Sequence, residues 1–250
     1  MTEGRGRAPL RARADRRGTG RCEMSLLILR AGLGLALALF IATPLQAAAK
    51  LDRKLRNATE VYQELLDSPD RGVPERLRRE SRCVAVVPRV IKAALGVGGR
   101  HGTGVVSCRD EGGSWSPPSF ISLSGGSIGF QIGAQSTDLV LFFMNERGTR
   151  SLLKSRFTLG ADASVAAGPV GRTAEAGTDI RFDAEIYAYA RAKGLFAGVS
   201  LEGAVLDASD GKNEQYYGQE IDPATILFDQ KVPRVPAPAR EFVDALSGRG

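Results

Sequence analysis

Residues 124–144 read Ser-Gly-Gly-Ser-Ile-Gly-Phe-Gln-Ile-Gly-Ala-Gln-Ser-Thr-Asp-Leu-Val-Leu-Phe-Phe-Met, and this stretch decides the fold class. Gly125, Gly129 and Gly133 recur every four residues, a spacing that puts them on one face of a strand. The same spacing on a helix forms a close-packing groove. Because each interior glycine costs a helix about 1 kcal/mol, we predict a strand. A row of bare glycines lets another backbone or a ligand approach closely, and close packing within the fold is the simpler of these two interpretations.

The residues before this stretch predict helices followed by short strands. Apolar residues at helical spacing indicate a helix over residues 49–66, and Pro74 can open a second helix over Glu75–Ser81. Strands are predicted at Cys83–Val87, which a proline ends, and at Gly104–Cys108. The glycine-rich residues between them are interpreted as a turn.

The residues after it predict more strands with few helices between them. Side chains alternate between apolar and polar over Ile180–Ala190, which predicts a strand with one polar face, and Leu195–Val205 alternates as its return strand. Helical segments are predicted at Thr149–Phe157, Asp222–Phe228 and Ala239–Leu246. The fold class is therefore α+β, with N-terminal helices packed on a glycine-rich, mainly antiparallel, curved sheet or partial barrel.

The N-terminal residues resemble a targeting segment. Residues 31–42 form an uncharged apolar run that small residues follow, which is the layout of a secretory signal peptide over residues 24–48. The run is shorter than the roughly 20 residues of a membrane-spanning helix, although an uncleaved anchor is an alternative. Residues 1–23 carry seven Arg and predict a disordered basic leader, or Met24 is the true start. We expect cleavage near Ala47–Ala49 and export to the periplasm or cell envelope.

Removal of this segment changes the charge of the protein. The whole chain has a net charge of +6, and +5 of it lies in residues 1–49. The remainder is nearly neutral, so the net charge of the chain does not indicate a surface that binds nucleic acid. The length suits one domain, predicted over residues 49–228, with a proline-rich linker and a short helix over residues 229–250. Within the domain the positive charge is concentrated in residues 50–109, which are +6.

Two cysteines, Cys83 and Cys108, remain after the leader is removed. In an oxidising compartment an even pair indicates a disulfide. Neighbouring strands would bring the two residues within bonding distance, whereas two buried thiols are the alternative.

No arrangement of residues indicates catalysis, a metal site or a cofactor. His101 has no serine or aspartate partner placed by a motif, and its glycine-rich surroundings lack the spacing of a phosphate-binding loop. The carboxylates of Asp162, Asp179, Asp183 and Glu185 are explained as a solvated strand face, because nothing fixes the separation that glycosidase chemistry needs. We therefore expect a protein that is not an enzyme.

Basic residues in the two N-terminal helices are the candidate binding residues. With an apolar stripe on its other side, such a helix can lie on an anionic membrane. The alternative is an ordinary amphipathic helix packed on the sheet with its charges in water. The candidates are Lys50, Arg53, Lys54, Arg56, Arg76, Arg78, Arg79 and Arg82.

A set of motifs spread over residues 50–220 resembles the SYLF domain family. They are Val84–Pro88, Gly98–Val106, Trp115–Phe120, Gly129–Gly133, Asp138–Leu141, Ala167–Arg172, Tyr189–Gly203 and Tyr216–Gly218.

The resemblance implies binding to phosphoinositides or other acidic phospholipids, with the N-terminal helix as the membrane contact. Eukaryotic members carry Src-homology-3 or FYVE modules, which this chain lacks, and some bind actin. Bacterial members are exported single domains, a context in which actin binding is not expected. The rival hypothesis is a structural or protein-interaction module of the cell envelope.

Overall fold

The computed structural model describes residues 48–68, 73–152, 156–170, 183–192 and 195–248. They all belong to one unit, Ala47–Gly250. The predicted leader and nearly all of the signal peptide lie outside the described residues, so both stay predictions. Among the described residues, no helix combines the length and the apolar character that crossing a membrane requires.

Helices flank a set of strands in the order that the sequence predicts. The strands are β1 (Cys83–Cys108), β2 (Ser119–Phe143), β3 (Phe157–Thr158), β4 (Val165–Ala167), β5 (Ile186–Ala192), β6 (Leu195–Gly198) and β7 (Val205–Ala208). The helices are α1 (48–66), α2 (Glu75–Glu80), α3 (Glu146–Ser151), α4 (Asp210–Tyr217), α5 (Pro223–Leu227) and α6 (Ala237–Leu246).

The described strands form one mixed sheet organised on β2. β1 pairs antiparallel with β2 along nearly all of its length. One end of β2 also pairs with β7, and its other end pairs with β5. β3 pairs with β7 and β6 with β5, both antiparallel, whereas β4 runs parallel to β5. The predicted α+β class, with a mainly antiparallel sheet, is confirmed.

The β1–β2 ribbon folds back on itself, so the two ends of β1 lie side by side. The Cα atoms of Cys83 and Cys108 are 4.0 Å apart although 25 residues separate them in sequence, and a disulfide joins the two cysteines. The backbone of Gly104 lies so close to that of Val86 that a Cβ on the glycine would be 2.1 Å from the Val86 oxygen. This fold-back curls the sheet strongly into a half-barrel.

The predicted turn between two short strands is wrong, because β1 continues through it. Gly96 pairs with Gly129 and Gly98 pairs with Ser127, so β2 supplies partners where the sequence indicated a loop. Pro88 does not end the strand either. It lies at an irregularity in the pairing between Val87 and Val90, the kind of position at which a strand tolerates proline.

The glycine row of residues 125–133 lies in strand β2, as predicted. Gly129 and Gly133 pair with Gly96 and Ala94 of β1. A Cβ on Gly125 would be 3.2 Å from the Cα of Ala204, so another backbone does approach at this position. At Gly125 the absence of a side chain therefore serves close packing within the fold.

Apolar side chains cover both faces of the sheet. On one face, α1, α2 and α6 pack on residues such as Val84, Phe120 and Phe142. On the other face, Ala85, Leu141 and their neighbours fill the inside of the half-barrel.

The prediction that one face of the Ile180–Ala190 strand is polar is wrong where the structure describes it. Ile186 and Ala188 lie inside the half-barrel. Tyr187 and Tyr189 are buried on the other face of the sheet, which the helices cover. The Tyr189 hydroxyl donates to the Pro169 carbonyl at 2.8 Å. Tyrosine can face a core in this way because its ring is apolar and its hydroxyl finds a partner. Residues 180–182 lie outside the described residues.

Three further predictions differ from the structure in their bounds. α3 begins after Asn145, whose side chain accepts from the Gly148 amide, and not at Thr149. The predicted return strand is two strands, β6 and β7, which pair with different partners. The sequence also predicts a turn at Asp210–Gly211, and these residues instead begin helix α4. By contrast, α1, the Asp222 cap of α5 and the terminal helix agree with the sequence to within two residues.

Replacing Gly104 with Ala should destabilise the protein by about 3 kcal/mol, because the new methyl group overlaps the Val86 backbone. The free energy of unfolding in urea measures the effect. Gly126→Ala is the matched control, since no atom lies within 4 Å of its added Cβ. Equal losses in the two variants would contradict the close approach within β1.

Candidate functional site

Helix α1 uses its whole apolar stripe to pack on the sheet. Leu55 and Leu65 are fully buried, and Leu51 is only 4 % exposed. Lys50, Arg53 and Arg56 are exposed, and their spacing of three residues puts them on one side of the helix. While α1 stays docked, this side is available to a partner and the apolar stripe is not.

Polar contacts also hold α1 in place. The Lys54 ammonium donates to the Thr103 carbonyl of β1 at 2.9 Å. The Tyr216 hydroxyl of α4 donates to Asp52 at 3.3 Å, and Glu64 forms an ion pair with Arg191 of β5. These contacts are spread along the helix, so its position on the sheet is fixed over its length.

Lys54 lies among positive charges from three parts of the chain. Its pKa is lowered by burial first, and then by the charges of Lys212, Arg89 and Lys50. We call Lys50, Lys54, Arg89 and Lys212 the Lys54 cluster. The three neighbouring charges that lower this pKa are all positive.

The fold supplies two members of this cluster that the sequence prediction missed. Arg89 lies at the irregularity after Pro88 with a φ of 54°, and its amide donates to the Asp138 carboxylate at 2.8 Å. Lys212 comes from α4, which was not predicted to be a helix. No feature of the sequence signals that residues so far apart meet.

An exposed apolar side chain lies next to the Lys54 cluster. Ile91 follows Arg89 by two residues on β1, and 56 % of its surface is exposed. Its neighbours Lys92 and Ala93 are exposed as well. Cations beside an accessible isoleucine form a surface with both charged and apolar character.

The α2 arginines form a separate group. Arg76 and Arg79 are exposed and form ion pairs with Glu80 and Glu75 at 2.7 and 3.8 Å. Arg78 is half-buried and lies near Tyr62 of α1, eight residues beyond Lys54. Eight residues of helix span about 12 Å, so the eight predicted binding residues do not form one site.

Arg109 joins the α2 arginines in space and was also missed by the sequence prediction. Its positive charge lies near those of Arg78 and Arg82. We call Arg78, Arg82 and Arg109 the Arg109 cluster. It lies at the end of β1 where the disulfide joins Cys83 and Cys108.

Comparison with known protein families gives one match that covers half of the chain. Residues 124–249 match the family model described as "Ysc84: Las17-binding protein actin regulator". The chain belongs to the Ysc84 family. The resemblance to the SYLF domain is thereby confirmed, since both names refer to this domain family.

Relatives in animals and yeast extend the similarity to most of the chain. An SH3 domain-containing YSC84-like protein 1 from Xenopus laevis is 38% identical over 189 residues, which are 73% of this chain and 56% of the relative. The human protein of that name is 36% identical over 200 residues, 80% of this chain and 57% of the relative. Protein YSC84 of Saccharomyces cerevisiae is 33% identical over 202 residues, 79% of this chain and 42% of the relative. The chain spans about half the length of these relatives.

Acidic residues of this Ysc84 domain that had been weighed as catalytic have structural contacts. The Asp162 carboxylate accepts from the Thr158 amide at 2.7 Å. The Glu185 carboxylate accepts from the Ser164 amide at 2.8 Å and pairs with Arg147 at 3.5 Å. Asp183 is exposed, and Asp179 lies outside the described residues. Within the described part of the chain, no group of three or more acidic, histidine or cysteine side chains is placed to hold a metal ion.

Replacing Lys212 with Gln should raise the pKa of Lys54, because Lys212 is the like charge that lowers it most after burial. The pKa should remain below that of an exposed lysine, since the burial of Lys54 is unchanged. An NMR titration of the lysine side chains measures it, with the Lys54 signal assigned by the Lys54→Arg variant. Lys231→Gln is the control, and an unchanged Lys54 pKa in Lys212→Gln would contradict the cluster.

Proposed function

We propose that this Ysc84 domain binds the headgroups of anionic phospholipids as a peripheral membrane module. The exposed side of α1 and the Lys54 cluster supply the cations, and Ile91 supplies an apolar contact. The observation that carries the proposal is the convergence of Lys50, Lys54, Arg89 and Lys212 around a partly buried ammonium. Such a concentration of positive charge attracts an anionic surface.

The buried stripe of α1 determines what kind of membrane contact is available. Insertion of that stripe into a bilayer would remove Leu51, Leu55 and Leu65 from the core, which would expose the sheet beneath them. We therefore propose contact through charges while α1 remains docked. Lys54 already donates to Thr103, so its neighbours are the direct headgroup contacts.

The expected affinity follows from the number of cations. Each cation close to an anionic bilayer contributes about 1 kcal/mol. Lys50, Arg53, Arg56, Arg89 and Lys212 together then give about 5 kcal/mol, a dissociation constant of roughly 0.2 mM. Binding of this kind weakens as salt screens the charges.

We also propose that the protein is exported and is not an enzyme. Export is supported by the apolar run at residues 31–42 and the small residues after it. A binding role without catalysis is supported by the family match and by the structural contacts of Asp162 and Glu185. The domain would then act at the membrane surfaces of the periplasm or cell envelope.

Neutralising Lys50, Arg53 and Arg56 together to Gln should lower partition onto phosphatidylserine vesicles about 100-fold, because three contributions of about 1 kcal/mol are lost. Sedimentation of the protein, started at Ala48, with vesicles at low salt measures the partition. Lys54 is left unchanged, since its substitution would also break the bond to Thr103.

The matched control for this experiment neutralises Arg147, Arg150 and Arg156 to Gln. These three arginines are exposed, and they lie on α3 or directly before β3, not on α1 or in the Lys54 cluster. The control should partition within about twofold of the wild type, since its charges lie outside the proposed face. Equal losses in the two triple variants would reject the assignment to α1, and a wild-type protein that stays in the supernatant would reject the proposed function.

A second candidate function is binding to actin or to an actin regulator. It is favoured by the description of the family model, which matches residues 124–249 and so excludes α1. If this candidate holds, neutralising Lys50, Arg53 and Arg56 should leave co-sedimentation with actin filaments unchanged while vesicle binding falls. If the wild-type protein does not pellet with the filaments, direct actin binding is rejected. This absence of binding is the result that we expect for an exported protein.

A further inference from the structure

Arg109 lies in an unusual setting for an arginine on a sheet edge. Its guanidinium stacks over the Trp115 ring at 4.5 Å from the ring centre, and one terminal nitrogen donates to the Arg79 carbonyl at 2.7 Å. The Nε atom is buried and has no hydrogen-bond partner. A buried donor on a charged group costs free energy when it is left unpaired, so the Arg109 guanidinium is incompletely satisfied within the fold.

Arg78 lies near Arg109, on the same side of the cavity wall that Tyr62 helps to form, since all three residues line one cavity. The Nε atom of Arg78 is also buried without a partner. Both guanidinium charges act on the buried Tyr62 hydroxyl, in agreement with this shared cavity. Burial lowers the pKa of Arg109, and the charge of Arg82 lowers it further, so Arg82 is the third cation near this space.

No carboxylate among the described residues neutralises these three arginines. Glu75 pairs with Arg79, and Glu146 pairs with Arg150. Asp110, next to Arg109 in sequence, accepts from the Ser114 amide at 2.8 Å and from the Gln230 amide group at 3.3 Å. Arg78, Arg82 and Arg109 form no ion pair in the described part of the chain, so an anion from outside would complete the site.

Cavities open on both sides of the Arg109 guanidinium. A cavity of about 200 Å³ is lined by Tyr62, Arg78, Arg109 and the C-terminal end of α6. A second, of about 810 Å³, is lined by Arg82, Arg109 and Arg150 together with the carboxylates of Asp110, Glu111 and Glu146. The smaller cavity accommodates a phosphate group, and its one carboxylate, that of Glu75, pairs with Arg79.

We propose that the Arg109 cluster binds a phosphate group. Guanidinium groups match the oxygens of phosphate with paired N–H donors, and several converging arginines favour a doubly charged anion over a carboxylate. The phosphate oxygens would accept from the terminal guanidinium nitrogens of Arg78 and Arg109, which line the same cavity, and Arg82 would balance the second charge. Stacking on the Trp115 ring fixes the orientation of the Arg109 guanidinium plane while its nitrogens donate to the phosphate.

The phosphate has two possible sources, a phosphorylated inositol lipid headgroup or a soluble phosphomonoester. The site does not depend on the proposed membrane function, because Arg78 and Arg109 lie at the opposite end of α1 from Lys54. A domain that fails to bind vesicles through α1 can still bind phosphate here. The two ideas therefore succeed or fail separately.

The chain contains a single tryptophan, so the fluorescence of Trp115 reports directly on this site. Titration of the full mature chain with inorganic phosphate should change the Trp115 emission in a saturable way, and sodium chloride at matched ionic strength should not. Arg78→Gln should raise the apparent dissociation constant about tenfold, the effect of one lost charge-assisted hydrogen bond. Arg82→Gln should raise it as well.

The matched control is Arg76→Gln, which removes an exposed arginine of the same helix that is already paired with Glu80. Its phosphate titration should equal that of the wild type, and so should that of the variant with Lys50, Arg53 and Arg56 neutralised. Thermal unfolding checks that each variant is folded. Because Arg109 also covers Trp115, Arg109→Lys is used as a conservative variant, which should weaken binding without unfolding the protein.

The sources are separated by two further titrations, one with soluble inositol trisphosphate and one with vesicles that contain phosphatidylinositol bisphosphate. A Trp115 response to the vesicles assigns the site to a lipid headgroup, and a response to the soluble ligands alone assigns it to a free phosphomonoester. A response that chloride reproduces, or an Arg78→Gln titration identical to that of Arg76→Gln, overturns the proposal.

Discussion

The close approach of the two ends of β1 is the constraint on which the rest of this structure depends. Val86 and Val87 lie directly against Gly102 and Gly104, where no larger residue fits. The disulfide between Cys83 and Cys108 joins the same two segments. Because β2 pairs with β1 along nearly its whole length, it must bend with it, and its two ends then receive β5 and β7 along the edge that β1 leaves free. The curled sheet thus originates in a glycine-lined backbone contact.

The curl also determines how α1 relates to any partner. Helices α1, α2 and α6 together cover one face of the curled sheet. Phe242 of α6 is buried in the same core as Leu55 of α1. The apolar stripe of α1 is therefore part of the hydrophobic core, although in sequence it looks like a membrane-binding element. What remains for recognition is the charged outer side, where binding is weak, additive and sensitive to salt.

Positive charge is divided between two places that differ in character. Around Lys54 the cations are exposed or half-buried and lie beside an accessible Ile91, which suits a broad anionic surface. Around Arg109 two of the three guanidinium groups are half-buried, none of the three forms an ion pair within the described part of the chain, and they border cavities, which suits a discrete anion. The first arrangement favours a lipid surface and the second a single phosphate group, and about two turns of α1 separate them.

The sequence by itself determined the α+β class, the N-terminal helix and the strand character of the glycine row. Those features follow from local periodicity and from the conformational cost of glycine. Counting thiols favoured a disulfide but left two buried thiols as the alternative, and the fold-back of β1 brings Cys83 and Cys108 together. It did not determine that β1 runs through its glycine-rich middle, since a strand exists there only because β2 supplies its hydrogen bonds. Nor did it place Arg89, Lys212 or Arg109, since their chain neighbours give no sign of their spatial neighbours. Only the folded ribbon brings these distant charges together, because electrostatic interactions depend on distance in space and not on separation along the chain.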